Sequence, residues 1–217
     1  PEHGQVSPSR FIPVAEETGL ILLIGTRVLE QACKDLQRWR RIYGTSPMLS
    51  VNLSARQFQQ ANLAQDIADL LGRYDVDPRH VKLEITESVA MVDADATMAT
   101  LNELKALGLT LAIDDFGTGY SSLGYLKRFP VDVLKIDRSF VAGLGSDADD
   151  TAIVRSVVAV AKALNLSVTA EGIETLEQAD ALRSLECDRG QGYYFAAPMP
   201  AADVERMVFG GVLSAEC

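Results

Sequence analysis

Histidine is nearly absent: His3 and His80 are the only two. A Ser/His/Asp mechanism and a His-rich metal site are therefore close to excluded. Cysteine is scarce as well. Cys33, Cys187 and Cys217 are scattered, odd in number and without zinc-type spacing. They read as buried or incidental thiols of a reducing compartment rather than a disulfide framework. No apolar run reaches the roughly 18 residues of a membrane span. The nearest, residues 20–24, is interrupted by Gly25, Thr26 and Arg27. No secretory signal is visible. Together these absences point to a cytoplasmic domain with no membrane contact of its own. The sequence also lacks a Gly-x-Gly-x-x-Gly fingerprint, a Walker A loop, linkers and low-complexity segments, so it reads as one domain. A formal net charge of −10 disfavours non-specific nucleic-acid binding. It does not disfavour an anionic ligand held through metal ions, because bound cations invert the local field. The chain opens Pro1-Glu2-His3-Gly4 without an initiator Met, which suggests a fragment.

What is present is an ordinary globular composition, 47% hydrophobic and 23% charged over 217 residues. Ser7-Pro8 starts a helix, with residues 10–18 helical up to Gly19. Apolar spacing predicts a long helix over 20–43, closed by Gly44. Strands are predicted at 48–53, 81–86, 110–114, 133–137, 166–170 and 191–195. Helices are predicted at 61–74, 95–107, 149–164, from the Thr175/Gln178 capping box to about 185, and at 201–208. A short helical turn is predicted at 122–128. Strand then helix, six times over, argues for a parallel sheet with helices outside it.

The densest stretch is Leu111-Ala112-Ile113-Asp114-Asp115-Phe116-Gly117-Thr118-Gly119. It begins as a buried strand and places two carboxylates side by side. Neighbouring strand residues point to opposite faces, so both Asp can serve one site only where the strand ends and the backbone twists away. Burying them together is costly unless a cation or proton compensates. The alternative is a polar strand end followed by an ordinary turn. Every other predicted strand also carries a polar residue at or near its C-terminal end: Asn52, Glu84, Lys135, Glu171 and Gln191. Contributions from all six strands favour a closed (β/α)-barrel, whose catalytic groups gather at that face. An open doubly wound sheet would use one or two strands at a switch point. Such a barrel has eight strands. The expectation is therefore a TIM-barrel-like (β/α)8 fold whose first two strands lie upstream of Pro1. The strands carrying Asn52 and Gln191 should then be the ends of the visible sheet.

Glu84, Asp114, Asp115 and Glu171 supply carboxylates, and Asn52 and Gln191 supply amides. Oxygen donors without His or Cys suit Mg²⁺ or Mn²⁺. Four carboxylates fit a pair of ions roughly 4 Å apart, the arrangement that clamps a phosphoryl group during in-line displacement. Lys135 would add a cation for phosphate oxygens or the attacking water. The reaction class is metal-assisted phosphodiester hydrolysis. Each residue has a plainer reading. Asn52 and Gln191 could shape turns, Glu84 and Glu87 could be solvated or salt-bridged, and Lys135 could pair with a carboxylate or be a Schiff-base lysine.

At these residues the sequence resembles the EAL-domain family of cyclic-di-GMP phosphodiesterases. The matching motifs are Ser50-Val51-Asn52-Leu53-Ser54, Leu83-Glu84-Ile85-Thr86-Glu87-Ser88, Asp114 through Ser122, Lys135-Ile136-Asp137, Ala170-Glu171-Gly172-Ile173-Glu174-Thr175 and Gln191-Gly192-Tyr193. They run through essentially the whole chain. The resemblance implies a single EAL domain over 1–217, lacking its N-terminal strands and the Glu-Ala-Leu motif itself, which is expected immediately before Pro1. It implies that Asn52, Glu84 and Asp114 hold one metal and that Asp114, Asp115 and Glu171 hold a second. Lys135 would contact the attacking water or scissile phosphate, and Gln191 would position water. Glu87 would shape the 115–122 loop, Glu174 would either support the metal ligands from behind or contact a guanine, and Asp137, Pro198 and Pro200 would lie near a base. The implied partners are cyclic-di-GMP, a second copy in a homodimer, and an upstream sensory or GGDEF domain. The implied reaction is hydrolysis of cyclic-di-GMP to linear pGpG with Mg²⁺ or Mn²⁺. The alternative is a catalytically degenerate receptor for the same ligand. A Schiff-base aldolase using Lys135 leaves the paired Asp unexplained.

Overall fold

The computed structural model describes residues 6–119, 123–145 and 147–210. Two helices come first, α1 (Pro8–Thr18) and α2 (Leu20–Tyr43). Gly19 and Gly44 close them at φ 77 and 75, a left-handed conformation that costs glycine little. Along α2 the buried residues Ile21, Gly25, Leu29, Cys33, Leu36 and Trp39 recur every three or four positions, so one face is turned inward. Then follow β1 (Leu49–Asn52), α3 (Ala55–Phe58), α4 (Leu63–Arg73), β2 (Val81–Thr86), α5 (Glu87–Val92) and α6 (Ala94–Ala106). Next come β3 (Thr110–Phe116), α7 (Leu123–Leu126), β4 (Val133–Ile136), α8 (Arg138–Ala142) and α9 (Ala148–Ala163). The chain finishes with β5 (Ser167–Ala170), α10 (Leu176–Ser184), β6 (Arg189–Gly190) and α11 (Ala201–Phe209). No helix among the described residues is long and apolar enough to cross a membrane.

The six strands are all parallel and lie in the order β1-β2-β3-β4-β5-β6. Each pairs with its successor, with no reversal of winding. A doubly wound sheet reverses its order at a switch point; a barrel wall does not. The fold is thus of the (β/α)-barrel kind. As expected, β1, ending in Asn52, and β6, just before Gln191, are the two ends of the sheet.

The strands have two different faces. Leu83, Ile85, Leu111, Ile113, Leu134 and Ile136 join one apolar cluster with the helices. Glu84, Ala112, Asp114, Val133 and Lys135 alternate with them and so project to the opposite face. Buried Ala112 and Val133 stay outside the cluster, as that alternation requires. The sheet also ties its ends together through helices. On α11, Phe209 stacks on Tyr43 of α2 at 4.0 Å between ring centroids. Glu205 accepts hydrogen bonds from the Tyr43 hydroxyl at 2.8 Å and the Trp39 indole at 3.3 Å.

Two sequence expectations need correction. The last strand is Arg189–Gly190, not 191–195. Gly192 lies against Ile173, whose carbonyl oxygen would be 2.1 Å from an added Cβ. There the chain turns over, and the Phe195 and Ala196 N–H groups donate back to the Gly192 carbonyl at 3.1 and 3.3 Å. The short helices α3, α5 and α8 were also not foreseen. Thr86 and Asp137 cap α5 and α8 through their side chains, and Ser54 forms a capping box with Gln57 on α3. The turn expected over 122–128 is α7, although residue 122 lies outside the described residues.

Ile113 is fully buried beside Asp114. Ile113→Ala should destabilise this chain by about 2–5 kcal/mol, transfer and cavity contributions together. Urea unfolding followed through the fluorescence of Trp39 would check this.

Candidate active site

The paired aspartates are separated by a local break in β3. Its register against β4 shifts between Ile113 and Phe116. Asp115 adopts φ 54, a left-handed conformation uncommon outside glycine but tolerated by Asp and Asn. This bulge is the backbone twist that two adjacent carboxylates need in order to avoid opposite faces. The Asp115 N–H donates to Asp114 Oδ1 at 3.1 Å, which fixes the first carboxylate relative to the second.

Lys135 stands at the centre. It projects from β4 with 2% exposure. Its ammonium pairs with Glu84 Oε2 of β2, with Asp114 Oδ1 at 3.0 Å, and with Glu171 Oε1 at 2.6 Å, just past β5. One carboxylate oxygen from each of Glu84, Asp114 and Glu171 lies within 4.8 Å of the other two. Lys82, two residues before Glu84, adds a second buried ammonium 3.3 Å from Glu84 Oε1. Three carboxylates against two ammonium groups leave negative charge uncompensated in a buried place, before Asp115 is counted. Burial opposes ionisation of Lys135, yet Glu84, Glu171 and Asp114 hold its ammonium above the usual lysine range. Burial pushes the Glu84 carboxyl up, but attraction to Lys135, helped by Ser50 and Lys82, leaves it below the ordinary value. Glu171 rises, from burial and the Asp114 charge, despite its bond to Lys135. Asp115 also rises, from burial and repulsion by Asp114 and Asp137. Carboxyls pushed upward in this way are short of positive charge.

The all-oxygen donor set fits a hard divalent cation. Glu84 Oε1 is buried without a hydrogen-bond partner among the described residues, so the existing hydrogen bonds do not satisfy this carboxylate. The residues present therefore fit the metal that the sequence implied.

Glu87 begins α5 and is 1% exposed. Its Oε2 accepts from the Gly117 N–H at 2.8 Å, and Gly119 packs so closely that an added Cβ would lie 2.7 Å from Oε1. Residues 120–122 of the same motif lie outside the described residues. Asp137 caps α8: burial works against its charge, but the Ser139 hydroxyl and N–H lower its carboxyl overall.

The remaining expected residues are exposed. Asn52 is in register with Glu84, but its side chain is exposed. Gln191 is exposed too, and its backbone continues the sheet by donating to the Ala170 carbonyl at 2.8 Å. Glu174 is exposed in the turn before α10, its N–H donating to Gln178 Oε1 at 2.8 Å. Pro198 and Pro200 lie exposed in the segment leading into α11, with Pro200 at its N-cap. Lys82 was missed by looking only at strand ends. Its signal was its spacing, since residues i and i+2 of a strand share a face. A cavity of about 560 Å³ lies elsewhere, beside β6, lined by Ile173, Arg183, Arg189 and Phe195 among others. The converging charges, not that hollow, mark the site.

Comparison with known proteins agrees with this geometry. The EAL domain family model matches residues 1–198. The bifunctional diguanylate cyclase/cyclic di-GMP phosphodiesterase MucR of Pseudomonas aeruginosa is 48% identical over 201 residues, 93% of this chain. The oxygen sensor protein DosP of Escherichia coli is 41% identical over 204 residues, 94% of this chain. The chain spans only 29% and 26% of the lengths of those relatives. The solved structure of the PaMucR phosphodiesterase in complex with c-di-GMP superposes with a TM-score of 0.90 at 47% identity, covering 94% of this chain and 83% of that one. A barrel-type parallel sheet, a carboxylate cluster at its strand ends and a family match over nearly the whole length lead to one conclusion: this chain belongs to the EAL-domain family.

Proposed function

We propose that this chain is the phosphodiesterase domain of its protein, a single domain that opens cyclic di-GMP to linear pGpG by metal-assisted hydrolysis. The observation that carries this reading is the convergence of Glu84, Asp114 and Glu171 on Lys135 at the C-terminal ends of parallel strands. The phosphodiesterase activity printed for MucR supports it.

Glu84, Asp114 and Asn52 would hold one Mg²⁺ or Mn²⁺, and Asp114, Asp115 and Glu171 a second. When bound, such ions polarise phosphoryl oxygens and supply hydroxide near neutral pH. The chain's own groups perform the rest. Lys135, kept fully charged by its carboxylate neighbours, faces the phosphate or the attacking water and favours the negative charge that develops there. Glu87 holds the Gly117 end of the Asp-Asp loop, so that Asp115 keeps its bulged conformation. Gln191, free of side-chain partners among the described residues, would position water. Exposed Glu174, Pro198 and Pro200, with Asp137, would border a base of the substrate. In the cell the domain would work in the cytoplasm, as a homodimer beneath a sensory or GGDEF domain.

Two outcomes test this in the complete protein. EDTA should abolish pGpG formation, and Mg²⁺ or Mn²⁺ should restore it. Ca²⁺ should bind without supporting turnover, because its looser coordination holds water and phosphate poorly. Activity that survives EDTA would remove the metal from the account. Second, Asp114→Ala should lower hydrolysis at least ~10³-fold, on the order of the loss of one charge-stabilising group. Lys135→Ala should leave metal binding intact and chiefly lower kcat. A wild-type protein that binds cyclic di-GMP without ever releasing pGpG would instead be a receptor.

A further inference from the structure

Lys82 is a buried charge that the proposed chemistry does not use. It is 8% exposed, on a strand interior where an unpaired ammonium is costly. Strand alternation places it on the same face as Glu84, one layer deeper, in register with Ser50 of β1 and Thr110 of β3. Among the described residues Glu84 is its only ion-pair partner. The two oxygens of Glu84 are thereby divided. Oε2 faces Lys135 and the cluster, while Oε1, 3.3 Å from Lys82 Nζ, faces the interior and has no hydrogen-bond partner.

We propose that Lys82 is a positioning residue: it draws Glu84 Oε1 toward the barrel interior and so keeps Oε2 turned to the cation site that Asp114 and Glu171 complete. The proposal rests on Glu84 being a cation ligand. A carboxylate on a flexible side chain can rotate, or offer both oxygens to one ion. An ammonium 3.3 Å from Oε1 opposes both. Groups that orient a metal ligand in this way commonly contribute 10–100-fold to metal affinity. The opposing effect is plain repulsion, since a lysine near a divalent cation weakens its binding. The division of Glu84 between two lysines favours the orienting effect.

The test is calorimetric titration of the full-length protein with Mn²⁺ alone, alongside the Mn²⁺ dependence of pGpG formation. Lys82→Met keeps the bulk and removes the charge. It should weaken Mn²⁺ binding about tenfold. The Mn²⁺ concentration for half-maximal activity should rise in parallel, with kcat at saturating Mn²⁺ little changed. Lys82→Arg should recover most of the affinity. Lys82→Gln keeps a donor for Oε1 without the charge. It should fall between wild type and Lys82→Met, and it carries the test if Lys82→Met does not fold. Unchanged or tighter Mn²⁺ binding in these variants, with wild type binding normally, overturns the positioning role alone. A wild type that binds no Mn²⁺ overturns the metal site and the positioning role together.

Discussion

A single buried ammonium holds three carboxylates together, and the C-terminal end of the sheet is arranged around it. Lys135 comes from β4, Glu84 from β2, Asp114 from β3 and Glu171 from just past β5. Four consecutive parallel strands are thus linked through one charge. The parallel register makes this possible. Lys135 lies opposite Thr169, and Glu84 opposite Ala112, so strand-end groups meet across neighbouring strands rather than along one of them. Removing any carboxylate partner would leave less compensation for a buried charge. Removing the lysine would leave two buried anions and a half-buried third close together, a still greater cost.

The same arrangement explains the mixed pKa directions. Glu84, nearest to two ammonium groups, is held low, whereas Glu171 and Asp115 are pushed up by burial and by neighbouring anions. One lysine cannot satisfy all of them. The cluster is under-compensated, and its all-oxygen donors fit a divalent cation that would supply the missing positive charge. The backbone contributes too. The left-handed Asp115 and the Glu87–Gly117 hydrogen bond hold the Asp-Asp segment in a shape that an unconstrained strand would not adopt.

Much of this was legible in the sequence because it rests on local rules. The α2 helix ends where Gly44 predicts, β2 has the predicted bounds, and the Thr175/Gln178 capping box opens α10. The adjacency of Asp114 and Asp115 implies a backbone twist there, although it takes the form of a bulge within β3, which continues to Phe116, rather than the end of the strand. What was not legible depends on distant contacts. Gln191–Phe195 has strand composition, but Gly192 is forced over Ile173, so pairing stops at Gly190. Helices as short as α5 and α8 carry too little periodicity to register, although Thr86 and Asp137 are good caps. Asn52 and Gln191 stand at the two ends of the sheet, as their strand positions predict, with exposed side chains. Lys82 went unnoticed because its role depends on which oxygen of Glu84 it meets.

The central claim is that the carboxylates now gathered on Lys135 are the ligands of a divalent metal site. Anomalous diffraction from crystals of the complete protein soaked in Mn²⁺ tests this most directly. The account predicts Mn²⁺ density bounded by Glu84, Asp114 and Glu171, with oxygen distances near 2.2 Å, about the range for a hard divalent ion, and Lys135 drawn away from at least one carboxylate. Mn²⁺ absent from the cluster or bound elsewhere, with Lys135 still bridging all three, would contradict it.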